Sequence, residues 1–189
     1  MEKKDIVLIG GSAGSIDVLF YILPKLPKEF SIPVVIILHR EPTHESHLAE
    51  LFQMKSKIRV LEVDDKMKIE KNTVYIAPAK YHLLLEPDYA FSLDTSEKVK
   101  YTRPSIDVSF ISAVDVYKSH IIGIILSGSN DDGAEGMKLI KNTGGTIIIQ
   151  SPESCTMPTM PKEVNRIVKP DYVFNIDQIS SYLIEISSL

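Results

Sequence analysis

The chain has one cysteine, no tryptophan, and no apolar stretch approaching the length a membrane helix needs. A lone Cys155 excludes an internal disulfide and with it the stapled secreted scaffolds, so a reducing compartment is the simpler setting. The longest apolar runs, residues 34–38 and 121–126, are strand-sized. Ile6-Val-Leu-Ile9, behind Met1-Glu-Lys-Lys, is too brief for the hydrophobic segment of a signal peptide, and a cytoplasmic protein without membrane insertion is expected. Excess basic charge is missing too: 21 lysines and arginines against 25 aspartates and glutamates leave a formal charge of -4. That balance offers no general surface for neutralising phosphates, so nucleic acid is not expected as the main partner. What is present is ordinary. With 44% hydrophobic and 24% charged residues, 189 positions suit one domain, residues 1–189, whose core needs no metal or disulfide. Nothing in the composition fixes an oligomeric state.

Along the chain, Ile6-Val-Leu-Ile9 reads as a strand buried on both faces, followed by Gly10-Gly-Ser-Ala-Gly14 and then Ile16, Leu19, Phe20 and Leu23 at helical spacing. A second continuous run, Val34-Val-Ile-Ile-Leu38, enters a loop at His39-Arg-Glu-Pro42, and residues 46–54 suit the return helix. The middle differs. Thr73-Val-Tyr-Ile-Ala77, Tyr81-His-Leu-Leu-Leu-Glu86 and Tyr89-Ala-Phe-Ser-Leu93 follow one another across gaps that suit antiparallel hairpins, not helical crossovers. Beyond Arg103-Pro104, Ile106, Phe110, Ala113, Val114 and Tyr117 form one helical face. Residues 121–126 make a third buried strand, leading through Ser127-Gly-Ser-Asn-Asp-Asp-Gly133 to a helix that stops near Gly144-Gly145. Residues 146–149 return to strand, and the tail holds helices at residues 161–168 and 177–186. Strands alternating with helices predict an α/β fold: a doubly wound, mostly parallel sheet with helices on both faces and an added antiparallel hairpin segment.

In such sheets ligands bind beyond the carboxyl ends of the strands. Ser12, His39 and Asp132 all stand just past the ends of predicted inner strands, so a nucleophile, a base and an orienting carboxylate are expected at one crevice. Ser12 lies in a glycine-lined turn at a helix mouth, where free first-turn amides, Ala13 N–H first among them, face a developing oxyanion. His39 would take the serine proton and pass it to the departing alcohol, and Asp132 would fix its tautomer.

Other readings of the same residues exist. Gly10 to Gly14 resembles a phosphate cradle in composition but fits neither G-x-G-x-x-G nor the lysine-bearing P-loop. His44-Glu-Ser-His47, near His39, Glu41 and Glu45, is one residue short of H-E-x-x-H, and the pair Asp131-Asp132 is a common helix entry, so no metal is expected. A nucleotide-binding protein and a non-catalytic scaffold that retains the fold are the competing classes.

The chain resembles, nearly end to end, the catalytic domain of the chemotaxis protein-glutamate methylesterase family, CheB. The likeness rests on Ile9-Gly-Gly-Ser-Ala-Gly14, His39, Val74-Tyr-Ile-Ala-Pro78 with His82, Arg103-Pro-Ser-Ile-Asp107, Leu126-Ser-Gly with Asp132-Gly-Ala134, and Gln150 followed by Met160-Pro161. The resemblance implies Ser12 as nucleophile, His39 as general base, Asp132 as its partner, and backbone amides at Ala13 and Ser129 facing the oxyanion. It also implies hydrolysis of γ-glutamyl methyl esters on the cytoplasmic helices of methylated chemoreceptors, glutamine deamidation in some members, and no metal or organic cofactor. The chain departs from the family pattern where Ser12-Ala-Gly-Ser15 replaces Ser-Thr-Gly-Gly, Gly128-Ser-Asn130 replaces Gly-Met-Gly, and Leu38-His-Arg-Glu-Pro42 replaces Gln-His-Met-Pro. Family members commonly carry an N-terminal receiver domain. Here the first strand begins near residue 5, so regulation by phosphorylation within the chain is not expected.

Overall fold

A computed structural model describes residues 5–41 and 47–187. Its sheet begins where apolar side chains leave no polar face. The strands β1 (Ile6–Gly11), β2 (Val34–Leu38) and β7 (Ile121–Ile125) are almost wholly buried, as a sheet covered on both sides requires. Between and after them, in chain order, run α1 (Ser15–Ile22), α2 (Leu48–Gln53), β3 (Arg59–Glu62), β4 (Thr73–Ile76), β5 (His82–Leu85), β6 (Phe91–Asp94), α3 (Ile106–Tyr117), α4 (Ala134–Asn142), β8 (Thr146–Gln150), α5 (Thr159–Ile167), β9 (Tyr172–Phe174) and α6 (Ile176–Ile186).

Seven strands pair in parallel in the order β3-β4-β2-β1-β7-β8-β9, while β5 and β6 form a separate antiparallel pair. This is the doubly wound sheet with an added hairpin that the strand and helix pattern predicts. One expectation needs correction. Thr73–Ile76 does not belong with the hairpin; it lies inside the main sheet between β2 and β3. The reason is the strand β3, Arg-Val-Leu-Glu, whose half-exposed, charged edge gives no strong apolar signal although it joins the parallel order beside β4.

The period of two along β1 divides the core. Ile6 and Leu8 face a cluster built from α3, α4, α5 and the hairpin, including Ile106, Phe110, Met137, Val164 and Phe91. Val7 and Ile9 face the opposite cluster, including Leu19 and Ile22 of α1, Phe52 of α2 and Leu183 of α6. Each such side chain, fully removed from water, contributes roughly 1.5–3 kcal/mol, so both faces of the central strands are anchored independently. No helix among the described residues is long and apolar enough to cross a membrane.

The packing of α3 decides where the site forms. Gly10 and Gly133 both abut Ile106, the first residue of α3: a Cβ on either would lie within 2.6–2.7 Å of Ile106 Cγ2. Glycine at these positions lets the start of α3 press against the end of β1 and the loop after β7.

Candidate active site

The first two candidate residues are brought together by strand pairing. Gly11 pairs with Leu38, and the His39 amide donates to the Gly11 carbonyl at 3.1 Å. Ser12 and His39 are therefore the first residues past the paired segment on adjacent strands. Ser12 N–H donates to the Ser127 carbonyl at 2.9 Å, which ties the glycine-lined turn to the loop after β7. Behind it, Ser15 N–H and hydroxyl both donate to the Ser12 carbonyl. Among the described residues, no group bonds the Ser12 hydroxyl, which sits half-buried at the turn.

Asp132 presents the opposite picture. It is fully buried, and His39 Nε2 lies 2.7 Å from its Oδ2. The same oxygen accepts from Ile106 N–H at 2.7 Å and from the Thr102 hydroxyl at 3.2 Å. Its other oxygen accepts from the Ser105 hydroxyl at 2.9 Å and from the amides of Asp107 and Gly133 at 3.1 Å each. Ile106 and Asp107 open α3, so two of the amides that a helix start leaves without intrahelical partners hold the carboxylate, and the helix dipole favours its charge. Burial by itself would raise the carboxyl pKa; the hydrogen bonds from His39, Ile106 and Asp107 outweigh it and bring it down to about 2.

This arrangement fixes the imidazole. Asp132 is ionised and can only accept, so His39 Nε2 carries the proton that faces it, and in the neutral ring Nδ1 holds the lone pair. Asn130 closes the loop around that nitrogen. Its Oδ1 accepts from Asp132 N–H at 3.3 Å, which turns Nδ2 toward His39 Nδ1 at 3.5 Å, the outer limit of a hydrogen bond.

Sequence reasoning did not identify the supports of the acid. Ser105, the N-cap of α3, also accepts from Val108 N–H. Its own amide donates to His82 Nδ1 at 3.1 Å, while His82 Nε2 donates to the Glu97 carbonyl at 2.9 Å. Buried His82 is thus a neutral spacer between the hairpin and the start of α3. The signal for Ser105 was present, since a serine after Pro104 and before a helical apolar pattern is a cap; its second bond to a residue 27 positions away was not legible. Gln150 is similarly placed: its side-chain carbonyl accepts from Ser127 N–H at 3.0 Å and its amide donates to the Ser154 carbonyl at 2.9 Å, bracing the loop that holds Ser12.

The two amides expected to face an oxyanion, Ala13 N–H and Ser129 N–H, lie in exposed residues and donate to no other described group. Asp107 is buried beside Asp132, which raises its pKa despite the Gly136 amide and the Lys100 ammonium that it contacts at 2.8 and 2.9 Å. Among the described residues no three His, Cys, Asp or Glu side chains stand together as metal ligands. His44 and Glu45, part of the metal alternative, lie outside the described residues. A cleft of about 320 Å³ opens beside His39, bordered by Arg40, Lys80, Lys98, Tyr101 and Arg103.

A family model described as CheB methylesterase matches residues 7–183. A Leptospira interrogans protein is 38% identical over 180 residues, which cover 95% of this chain and 93% of that protein. The protein-glutamate methylesterase/protein-glutamine glutaminase of Thermotoga maritima is 37% identical over 96% of this chain, and this chain spans only 54% of its length. The crystal structure of the T. maritima CheB methylesterase catalytic domain is similar in fold, with a TM-score of 0.93, 36% identity, and coverage of 97% of this chain and 98% of that one.

Proposed function

The chain belongs to the CheB methylesterase family, and from that membership we propose that it hydrolyses glutamate γ-methyl esters on the cytoplasmic helices of chemoreceptors, with Ser12 as nucleophile, His39 as general base and Asp132 as its partner. The single observation that carries the reading is the His39 Nε2 to Asp132 Oδ2 contact of 2.7 Å one strand away from Ser12, whose hydroxyl no described residue engages.

The chemistry follows from which ring nitrogen lacks a proton. Asp132 holds the Nε2 proton, leaving Nδ1 as the base that accepts the Ser12 proton while Oγ bonds to the ester carbonyl carbon. The amides of Ala13 and Ser129 receive the negative charge that develops on the carbonyl oxygen. The imidazolium, stabilised by Asp132, returns its proton to the methoxy oxygen, the C–O bond breaks and methanol leaves. Water then attacks the acyl-enzyme through the same base, and the glutamate carboxylate is released with the Ser12 hydroxyl restored. A glutamine side chain entering the same site would release ammonia in place of methanol. The reaction so written uses no metal or organic cofactor.

The test is methanol release from methylated receptor membranes, measured for wild type and Ser12→Ala. Release by wild type alone is expected. Binding of the receptor without release by the wild-type chain would leave a non-catalytic scaffold as the better reading.

A further inference from the structure

Resting on that proposed activity, we infer that the cleft beside His39 binds the acidic stretch of protein around the scissile ester, with Lys80, Lys98 and Arg103 meeting flanking carboxylates and Tyr101 meeting an apolar side chain. Among the described residues, four cations, Arg40, Lys80, Lys98 and Arg103, border this cleft against one carboxylate, Glu41, in a chain whose overall charge is -4. Arg40 contributes least, because it is tied to Glu62 and to the Ala77 carbonyl. The others keep their charge available. Arg103 donates to the Thr95 and Ser96 carbonyls at 2.7 and 2.8 Å, which orient the guanidinium. Although its charge adds to the Ser96 hydrogen bonds that hold the Asp94 carboxyl below its ordinary pKa, it forms no ion pair among the described residues. Lys80 and Lys98 are exposed and have no carboxylate partner among the described residues.

The backbone here is held in conformations that side-chain-bearing residues rarely adopt. Lys80, Lys100 and Tyr101 have φ values of 79°, 49° and 66°. Val99 and Thr102 exchange backbone hydrogen bonds, so Lys100 and Tyr101 are the two central residues of a tight hairpin turn, a position where glycine or asparagine is usual. Strain of this kind persists only where the surroundings impose it and gathers at ligand-contacting segments. The surroundings are identifiable: Lys100 Nζ reaches Asp107 at 2.9 Å and Asp131 at 3.1 Å, and the Thr102 hydroxyl donates to Asp132. The turn is therefore fastened to the triad carboxylate, and its tip leaves Tyr101 95% exposed. An exposed aromatic ring on a braced turn, sharing a cleft with the unpaired cations Lys80 and Lys98, is an anchor awaiting a partner. A carboxylate-rich segment that also carries an apolar side chain satisfies both its charge and its ring.

Two synthetic peptides test this, each with one central glutamate γ-methyl ester, one flanked by glutamates and the other by glutamines. At low ionic strength kcat/KM for the acidic peptide should exceed that for the neutral one about tenfold, as complementary surface charges predict, and the ratio should fall toward one at high salt. Lys80→Glu combined with Lys98→Glu should abolish the ratio, with thermal unfolding confirming the fold. Lys55→Glu combined with Lys57→Glu makes the same charge change just before β3, at the amino end of the sheet, and should preserve the ratio. A ratio near one in wild type, or one that survives reversal at Lys80 and Lys98, overturns the inference. Fluorescence anisotropy of both peptides on Ser12→Ala reads the surface independently of turnover: selective binding without hydrolysis by wild type would sustain this surface and overturn the proposed chemistry, whereas hydrolysis without selectivity would do the reverse.

Discussion

The two ends of the candidate triad are built differently. Asp132 is buried and accepts hydrogen bonds on both oxygens from His39, Thr102, Ser105 and the amides of Ile106, Asp107 and Gly133. Ser12 is half-buried, and among the described residues only its backbone is held, through Ser127 and Ser15. A carboxylate whose task is to orient a base gains from being immobile, and burying its charge is tolerable only with every lone pair engaged. A nucleophile must reach the carbonyl carbon of its substrate, so an open side chain on a fixed main chain suits the role proposed for Ser12. Position and reactivity are thus separated, the first lodged in the core and the second at the rim.

Substitution at the two ends should divide accordingly. The largest effect is expected from Ser12→Ala, which should remove turnover by about a million-fold, as in measured serine triads. Its stability should change by no more than about 0.5 kcal/mol, checked by urea unfolding; a large loss would mean that the serine end is structural as well. Asp132→Ala should damage both properties, lowering kcat about 10⁴-fold and stability by roughly 3–5 kcal/mol, because buried donors and His39 lose their acceptor. Coincident kinetic and unfolding measurements on these two variants would break the comparison if both behaved alike.

The pH dependence of folding sharpens it. The Asp132 carboxyl titrates near 2 in the fold against an ordinary 3.8, so its ionised form stabilises the protein at higher pH. That contribution, on the order of 2 kcal/mol, should fade as pH falls from about 4 to about 2. Asp107, whose pKa is raised by burial and by the Asp132 charge, acts with the opposite sign, and the stability difference between wild type and Asp132→Asn should narrow across that window. A difference independent of pH would show that the buried bonds do not favour the charged form. The smallest effect should come from Ser105→Ala, which removes one of Asp132's donors and the α3 cap: about 1 kcal/mol, with less than a tenfold loss in kcat/KM.

Much of this architecture was legible because inner strands of a parallel sheet must be apolar on both faces, and Val34–Leu38 and Ile121–Ile125 could scarcely be anything else. Edge strand β3 escaped notice for the converse reason, and its absence from the expected order misplaced Thr73–Ile76 with the hairpin. In the site, Ser12, His39 and Asp132 could be picked out because each follows a recognisable strand. Their supports, Thr102, Ser105 and His82, belong to a loop and a hairpin whose distance from Asp132 along the chain carries no mark of nearness in space.

By itself, then, the sequence determined the parallel sheet, the glycine-lined turn at Ser12 and the set of polar residues at strand ends, since these depend on local periodicity and on what a strand or turn can accommodate. Only the tertiary structure decided that the start of α3 would be driven against Asp132. That contact needs Ile106 to fill the space left by Gly10 and Gly133, three segments separated in the chain whose fit is settled by packing alone.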